Sequence, residues 1–427
     1  MFIRLISMLC CLTQLALPAL AVRPGGMEDI ALKDIYQDYF LIGTAGEPSS
    51  LANESLALMT RHFNAFTFEN RMKPEFVQRA EGVFTFDTVN AMVDTLKAND
   101  MNIIGHTLAW HSQTPEWFWS DAAKARERLE THIEAVLNEV GEDLLAVDVV
   151  NEAVLYSGQE NWRDNLRGEG WFSVLGPDFI EIAFRKAAQV RDAIGRPDLK
   201  LYYNDYGLDD PKKSAKVYEM VAELRSKGVP IDGIGMQGHY TLDLLPDNVA
   251  NSLTLFSSIP GIEVSVTELD VAIGSARGNG ALSKAEHWMQ AYLYAKLFSI
   301  YKQYAKGPAN TSADPSKQII ARVSFWGLTD GVSWGAEQFP LLFDKDARAK
   351  RSFYAVTDPE GTLQQMGRRS ECTFAALREL CRTRYSIQKS VPWVGVHLGN
   401  AMQWVIDGAL TLSDACSCLW QAKEVSP

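Results

Sequence analysis

Eight short apolar runs recur along the chain, and seven of them end on polar or aromatic residues. The runs are "YFLIGTA" (39–45), "AFTFEN" (65–70), "MNIIGHTLAWH" (101–111), "LLAVDVVNE" (144–152), "LKLYYNDY" (199–206), "IDGIGMQGHY" (231–240), "IEVSVTELDV" (262–271) and "ARVSFWGLTD" (321–330). Between them lie segments with apolar residues at three- and four-residue spacing, such as 120–140, 179–194 and 285–305. That spacing is the helical period, while the runs have the length and composition of buried strands. Strands alternating with helices predict parallel pairing, and runs that are apolar throughout predict burial on both faces. Eight such units predict an α/β fold, a closed (β/α)8 TIM barrel. An open doubly wound sheet is the competing architecture, but no Gly-x-Gly-x-x-Gly turn follows the first run.

The two ends of the chain follow other patterns. Residues 1–21 combine one Arg, an apolar stretch and Ala19-Leu20-Ala21, which reads as a secretory signal cleaved near Ala21. A signal anchor is the alternative, although Thr13, Gln14 and Pro18 interrupt the stretch. The expectation is therefore a secreted, extracellular protein with no membrane association after signal removal. A catalytic barrel is expected over 22–358 and a C-terminal extension of uncertain structure over 359–427. Cys372, Cys381, Cys416 and Cys418 all fall in that extension, and spacing does not decide their pairing. Asn53 and Asn310 open glycosylation sequons, usable in a eukaryotic secretory route.

Composition narrows the partners. The chain has 427 residues, 22% charged and 47% apolar, with a formal net charge of -12. That balance argues against nucleic acid, which needs clustered Lys and Arg. The extension holds seven Lys or Arg and six Asp or Glu, about +1, so the acidity belongs to the barrel. A neutral ligand suits such a surface, and a monomer is expected.

The ends of a barrel's parallel strands share one face, and that face carries the active site. Here they present Glu69-Asn70, His106, His111, Asn151-Glu152, Asn204-Asp205, Gln237, His239, Glu268 and Trp326. Glu152 and Glu268 each directly follow an apolar stretch, in the fourth and seventh runs, whose strands would face each other across the rim. Paired carboxylates suit cleavage of a glycosidic bond, one protonating the leaving oxygen and the other attacking the anomeric carbon. Either Glu could instead be paired with a buried Arg. Asn151 can hydrogen-bond a sugar hydroxyl, and Trp110, Trp326 and Trp334 can stack on pyranose faces or simply fill the core. His106, His111 and His239 could ligate a metal. Against this, 106 and 111 differ by an odd number, which puts them on opposite faces of a strand, and no His-x-His or Cys pair accompanies them. No metal and no cofactor is expected.

The motifs "FTFENRMK" (66–73), "GHTLAWHSQTPEW" (105–117), "DVVNEAV" (148–154), "YYNDY" (202–206), "GIGMQGHY" (233–240), "VTELDV" (266–271) and "FWGLTDGVSW" (325–334) together resemble glycoside hydrolase family 10. These are retaining endo-β-1,4-xylanases built on a (β/α)8 barrel, and the resemblance runs from about residue 28 to 357. It implies Glu152 as acid/base, Glu268 as nucleophile and Asn151 as a contact to the sugar 2-hydroxyl. It implies His239 as the nucleophile's hydrogen-bond partner, supported by Gln237 and Asn204. Glu69, Asn70, Lys73, His106 and Trp110 would hold glycone xylose units, with Gln113 further out, and Trp326 and Trp334 would cover the cleft. Xylan and xylo-oligosaccharides become the expected partners. A relative acting on another β-glycoside, a binding protein that has lost catalysis and a metal hydrolase are the competing functions. The sequence departs from the family pattern at Phe68, Gly207, Gly238 and Tyr240. Gly207 stands where Asn is common, on the leaving-group side.

Overall fold

The computed structural model describes residues 30–156, 158–274 and 280–366. The expected leader over 1–21 and the four late cysteines lie outside these residues. The described chain divides into two compact units. One comprises 31–278 and 296–348, with 157 and 275–278 undescribed; the other comprises 30, 280–295 and 349–366 among the described residues.

The first unit holds all the strands of the described residues: β1 Leu41–Gly46, β2 Ala65–Phe68, β3 Asn102–Ala109, β4 Leu144–Asn151, β5 Lys200–Asp205, β6 Gly233–Met236, β7 His239–Thr241, β8 Glu263–Ala272 and β9 Ile320–Phe325. Pairing is parallel throughout, in the order β6-β5-β4-β3-β2-β1-β9-β8, and a β6–β8 pairing closes the ring. The expected eight-stranded barrel is present. The run 231–240 divides at Gln237-Gly238, where Gly238 has φ +81°. That backbone conformation favours glycine. Beyond it, β7 pairs with β8 and continues the ladder. The amphipathic segments form the helices Ala125–Val140 and Phe179–Ala193, and the segment 285–305 forms Lys284–Gln303. In the second unit Ala291, Ala295 and Ala355 pack with Leu363, and the Arg351 guanidinium lies 3.7 Å from the Trp288 ring centre.

The strands are buried on both faces, but the inward face is not apolar. Tyr202 donates to Glu263 at 2.6 Å and lies 3.0 Å from the Ser265 hydroxyl, and Arg322 donates to Ser324 at 2.6 Å. All five side chains are buried. Glu263, Ser265 and Thr267 alternate along β8, which keeps them on one face. A register shift between Val266 and Leu269 breaks this alternation, as β-bulges do near active sites. As a result Thr267 and Glu268, neighbours in sequence, both hydrogen-bond Asn204.

Candidate active site

A cleft of about 780 Å³ opens at the carboxyl ends of the strands, and Glu69, Asn70, Lys73, His106, Trp110, Gln113, Asn151, Glu152, Gln237, His239, Glu268, Trp326 and Trp334 line it. Of the fourteen residues expected at the site, only Asn204 does not line the cleft. It lies fully buried beneath the floor and donates to Glu268 Oε1 at 2.7 Å and Asn151 Oδ1 at 2.9 Å. Gln237 Nε2 completes a bridge, reaching Asn151 Oδ1 at 3.3 Å and Glu152 Oε1 at 3.0 Å. Three amides therefore join the two carboxylates in one hydrogen-bonded chain. Asn151 spends its carbonyl on this chain, which turns its NH2 into the end that can donate to a ligand.

The carboxylates differ in their partners. Glu268 is 4% exposed, and His239 Nε2 stands 3.1 Å from its Oε2. The other imidazole nitrogen meets Asp270 Oδ2 at 2.9 Å. Burial alone would push His239 down, but Asp270 and Glu268 outweigh it and raise the imidazole to about 10. The resulting cation works in the opposite sense on Glu268. Burial favours its neutral form, yet His239, His106 and Asn204 hold the carboxyl below its ordinary value. Glu152 accepts only from neutral donors among its side-chain contacts, Trp110 Nε1 at 3.0 Å and Gln237. Its backbone lies at φ +56°, outside the regions ordinary for a non-glycine residue, and its N–H donates to Asn204 O at 2.9 Å.

At the ends of β2 and β3 a second cluster forms. Lys73 Nζ donates to Gln113 Oε1 at 2.7 Å and Asn70 Oδ1 at 3.1 Å, and sits 4.8 Å from the Trp110 ring centre. Gln113, expected further out, is bonded into this cluster through Asn70 as well. Glu69 beside it is raised to about 7, first by burial and then by Glu47. Trp326 is buried edge-on to His106, whereas Trp334 is 65% exposed and donates to Asp270 at 2.8 Å.

His106 and His239 both line the cleft, but each is bonded to its own aspartate. His106 pairs with buried Asp148 at 2.8 Å. His111 lies past the end of β3, so strand parity does not govern it; it lines a small cavity with Arg167 and Trp171 that shares Trp110, Asn151 and Glu152 with the cleft. Among the described residues no group of three His, Cys, Asp or Glu is placed to hold a metal.

Sequence reasoning missed Asp148, Asp270, Arg167, Tyr156 and Lys213, the partner of the strand-end Asp205. Asp270 had a signal, since it stands two residues after Glu268 on one strand. The departures fit locally: Phe68 is fully buried edge-on to Phe66, and Gly238 supplies the turn between β6 and β7.

The model for glycosyl hydrolase family 10 matches residues 31–359. Endo-1,4-beta-xylanase A of Thermotoga maritima is 37% identical over 347 residues, 77% of this chain, which itself spans about a third (31%) of that relative. A beta-1,4-xylanase of Dictyoglomus thermophilum is 37% identical over 344 residues, covering 78% of this chain and 91% of the relative. Among solved structures, an intracellular xylanase of Thermoanaerobacterium saccharolyticum, seen as a mutant with xylotriose, is 37% identical with a TM-score of 0.67. The alignment covers 77% of this chain and 98% of that one. With a match across the whole barrel and two glutamates facing one cleft, this chain belongs to glycosyl hydrolase family 10.

Proposed function

We propose that the protein is an endo-β-1,4-xylanase that cleaves xylan with retention of configuration. The observation that carries this reading is the asymmetry of the two linked carboxylates. Glu268 is held ionised beside a cationic imidazole, and Glu152 stands across the cleft among neutral donors. A Glu268 oxygen attacks the anomeric carbon while the bond to the leaving oxygen breaks and Glu152 gives that oxygen its proton. A glycosyl ester forms on Glu268. Glu152 then takes a proton from water, which attacks the same carbon and frees Glu268. Glycone units would lie over Lys73, Asn70 and Gln113, and leaving-group units beyond Glu152. Relatives named as xylanases and a neighbour seen with xylotriose support the substrate.

The test is chemical rescue. Glu268→Ala and Glu152→Ala should each lower xylan hydrolysis at least about 100-fold. Azide should then yield a glycosyl azide of inverted configuration with Glu268→Ala and of retained configuration with Glu152→Ala. Wild-type rates in either variant would sink the assignment. We also propose that residues 1–21 direct secretion, on the strength of their leader pattern. Sequencing the N-terminus of protein recovered from the medium checks this.

A further inference from the structure

The half of the cleft past β4 and β5 is built from different material. Tyr156 stands four residues after Glu152, and Tyr206 and Gly207 directly follow β5. The two tyrosine rings lie 5.8 Å apart at 55°, forming an aromatic corner. Beneath it the buried Lys213 ammonium sits 3.5 Å from the Tyr206 ring centre and 4.8 Å from that of Tyr156. Lys213 is itself fixed by Asp205 at 2.8 Å, and Asp205 accepts from the Tyr206 N–H at 2.9 Å. Tyr156 is nevertheless 54% exposed, so an ammonium holds the ring from below while much of its surface stays open.

Gly207 is what admits it. A Cβ built at position 207 would fall 1.4 Å from the Tyr156 hydroxyl oxygen and 2.4 Å from its Cζ. A side chain at 207 and Tyr156 in this position exclude each other. The space beside Gly207 is therefore taken by a tyrosine reaching over from the β4 loop. An aromatic face presented to a sugar cleft stacks on the C–H face of a pyranose. Asp209, two residues past Gly207, also lines the cleft and offers an acceptor for hydroxyls at the ring's edge. Building on the glycosidase reading above, we propose that Tyr156 is a specificity-determining residue that receives a xylose unit of the leaving group, with Gly207 as its steric permit.

Two substrates that yield the same glycosyl-enzyme isolate this role. Xylotetraose cut at its central bond transfers a xylobiosyl group and releases xylobiose across the tyrosines. β-Xylobiosyl fluoride transfers the same group and releases one atom. The readout is the ratio of kcat/KM on xylotetraose to that on the fluoride. In Tyr156→Ala this ratio should fall about 3- to 10-fold, while Tyr156→Phe, which keeps the ring, should hold most of it. Gly207→Asn should lower the ratio when Tyr156 is present and cost less in the Tyr156→Ala background, giving a non-additive cycle. A ratio in Tyr156→Ala within about twofold of wild type, whichever way the separate rates move, overturns the proposal alone. Wild-type protein that hydrolyses neither substrate overturns the glycosidase reading, and this one with it.

Discussion

His239 sits between Asp270 and Glu268 and holds its proton to about pH 10, against an ordinary value of 6.5. The native state therefore binds a proton that the unfolded chain releases between these two values. The stabilisation is complete below pH 6.5 and is lost as pH rises through about 10. Asp270→Asn removes one carboxylate, so the imidazole should titrate lower and this alkaline slope should flatten. Urea unfolding at several pH values between 6 and 10 measures it, and an unchanged slope would contradict the pairing. Single residues were also where sequence reading stopped short. Glu152 and Glu268 are legible because a carboxylate at the end of an apolar run is conspicuous. Asp148 and Lys213 are not, because their meaning lies in partners far along the chain, His106 and Asp205.

The eight runs read from the sequence correspond to the eight barrel strands, because β-rich composition and length mark a buried strand whatever its neighbours. What the runs hide is register. The shift between Val266 and Leu269 in β8 decides which side chains face the cleft, and a shift in pairing leaves no mark in composition. Nor does the polar interior show, since Tyr202, Ser265 and Arg322 look like isolated interruptions until the barrel closes. The junction of β5 with the helix Pro211–Ser226 is held by Asp205 and Lys213, both wholly shielded from water. Burial pushes the acid up and the amine down, against their mutual attraction. Asp205 also accepts from Tyr203 and from the Val154 N–H. Lys213→Met should leave that carboxylate uncompensated and cost about 3–5 kcal/mol of stability. Denaturant titration reads this directly, and a loss under about 1 kcal/mol would mean the acid is neutral in the fold.

At the scale of the molecule, chemistry and frame are separable. The barrel supplies rigid strand ends, and the reaction is written in the side chains that those ends carry. Every step proposed here uses carbon, oxygen and protons of the chain, the sugar and water. Dialysis against a strong chelator should therefore leave the rate of xylan hydrolysis unchanged, and loss restored by a divalent ion would require another mechanism. The fold class was readable from alternation alone, and the family from its motifs. The aromatic corner on the leaving-group side was not, because Gly207 announces only a missing side chain and says nothing of the tyrosine that fills its place.

The amide chain from Glu268 through Asn204, Asn151 and Gln237 to Glu152 has an electrical consequence. An amide donates from nitrogen and accepts at oxygen, and it does neither by exchanging a proton with its neighbours. The chain is stiff but insulating. The two carboxylates sense each other's charge and keep their spacing, yet no proton can pass between them along this route. In the proposed reaction, the proton that Glu152 gives away must therefore come back from the incoming water, through the open side of the cleft, once in every turnover.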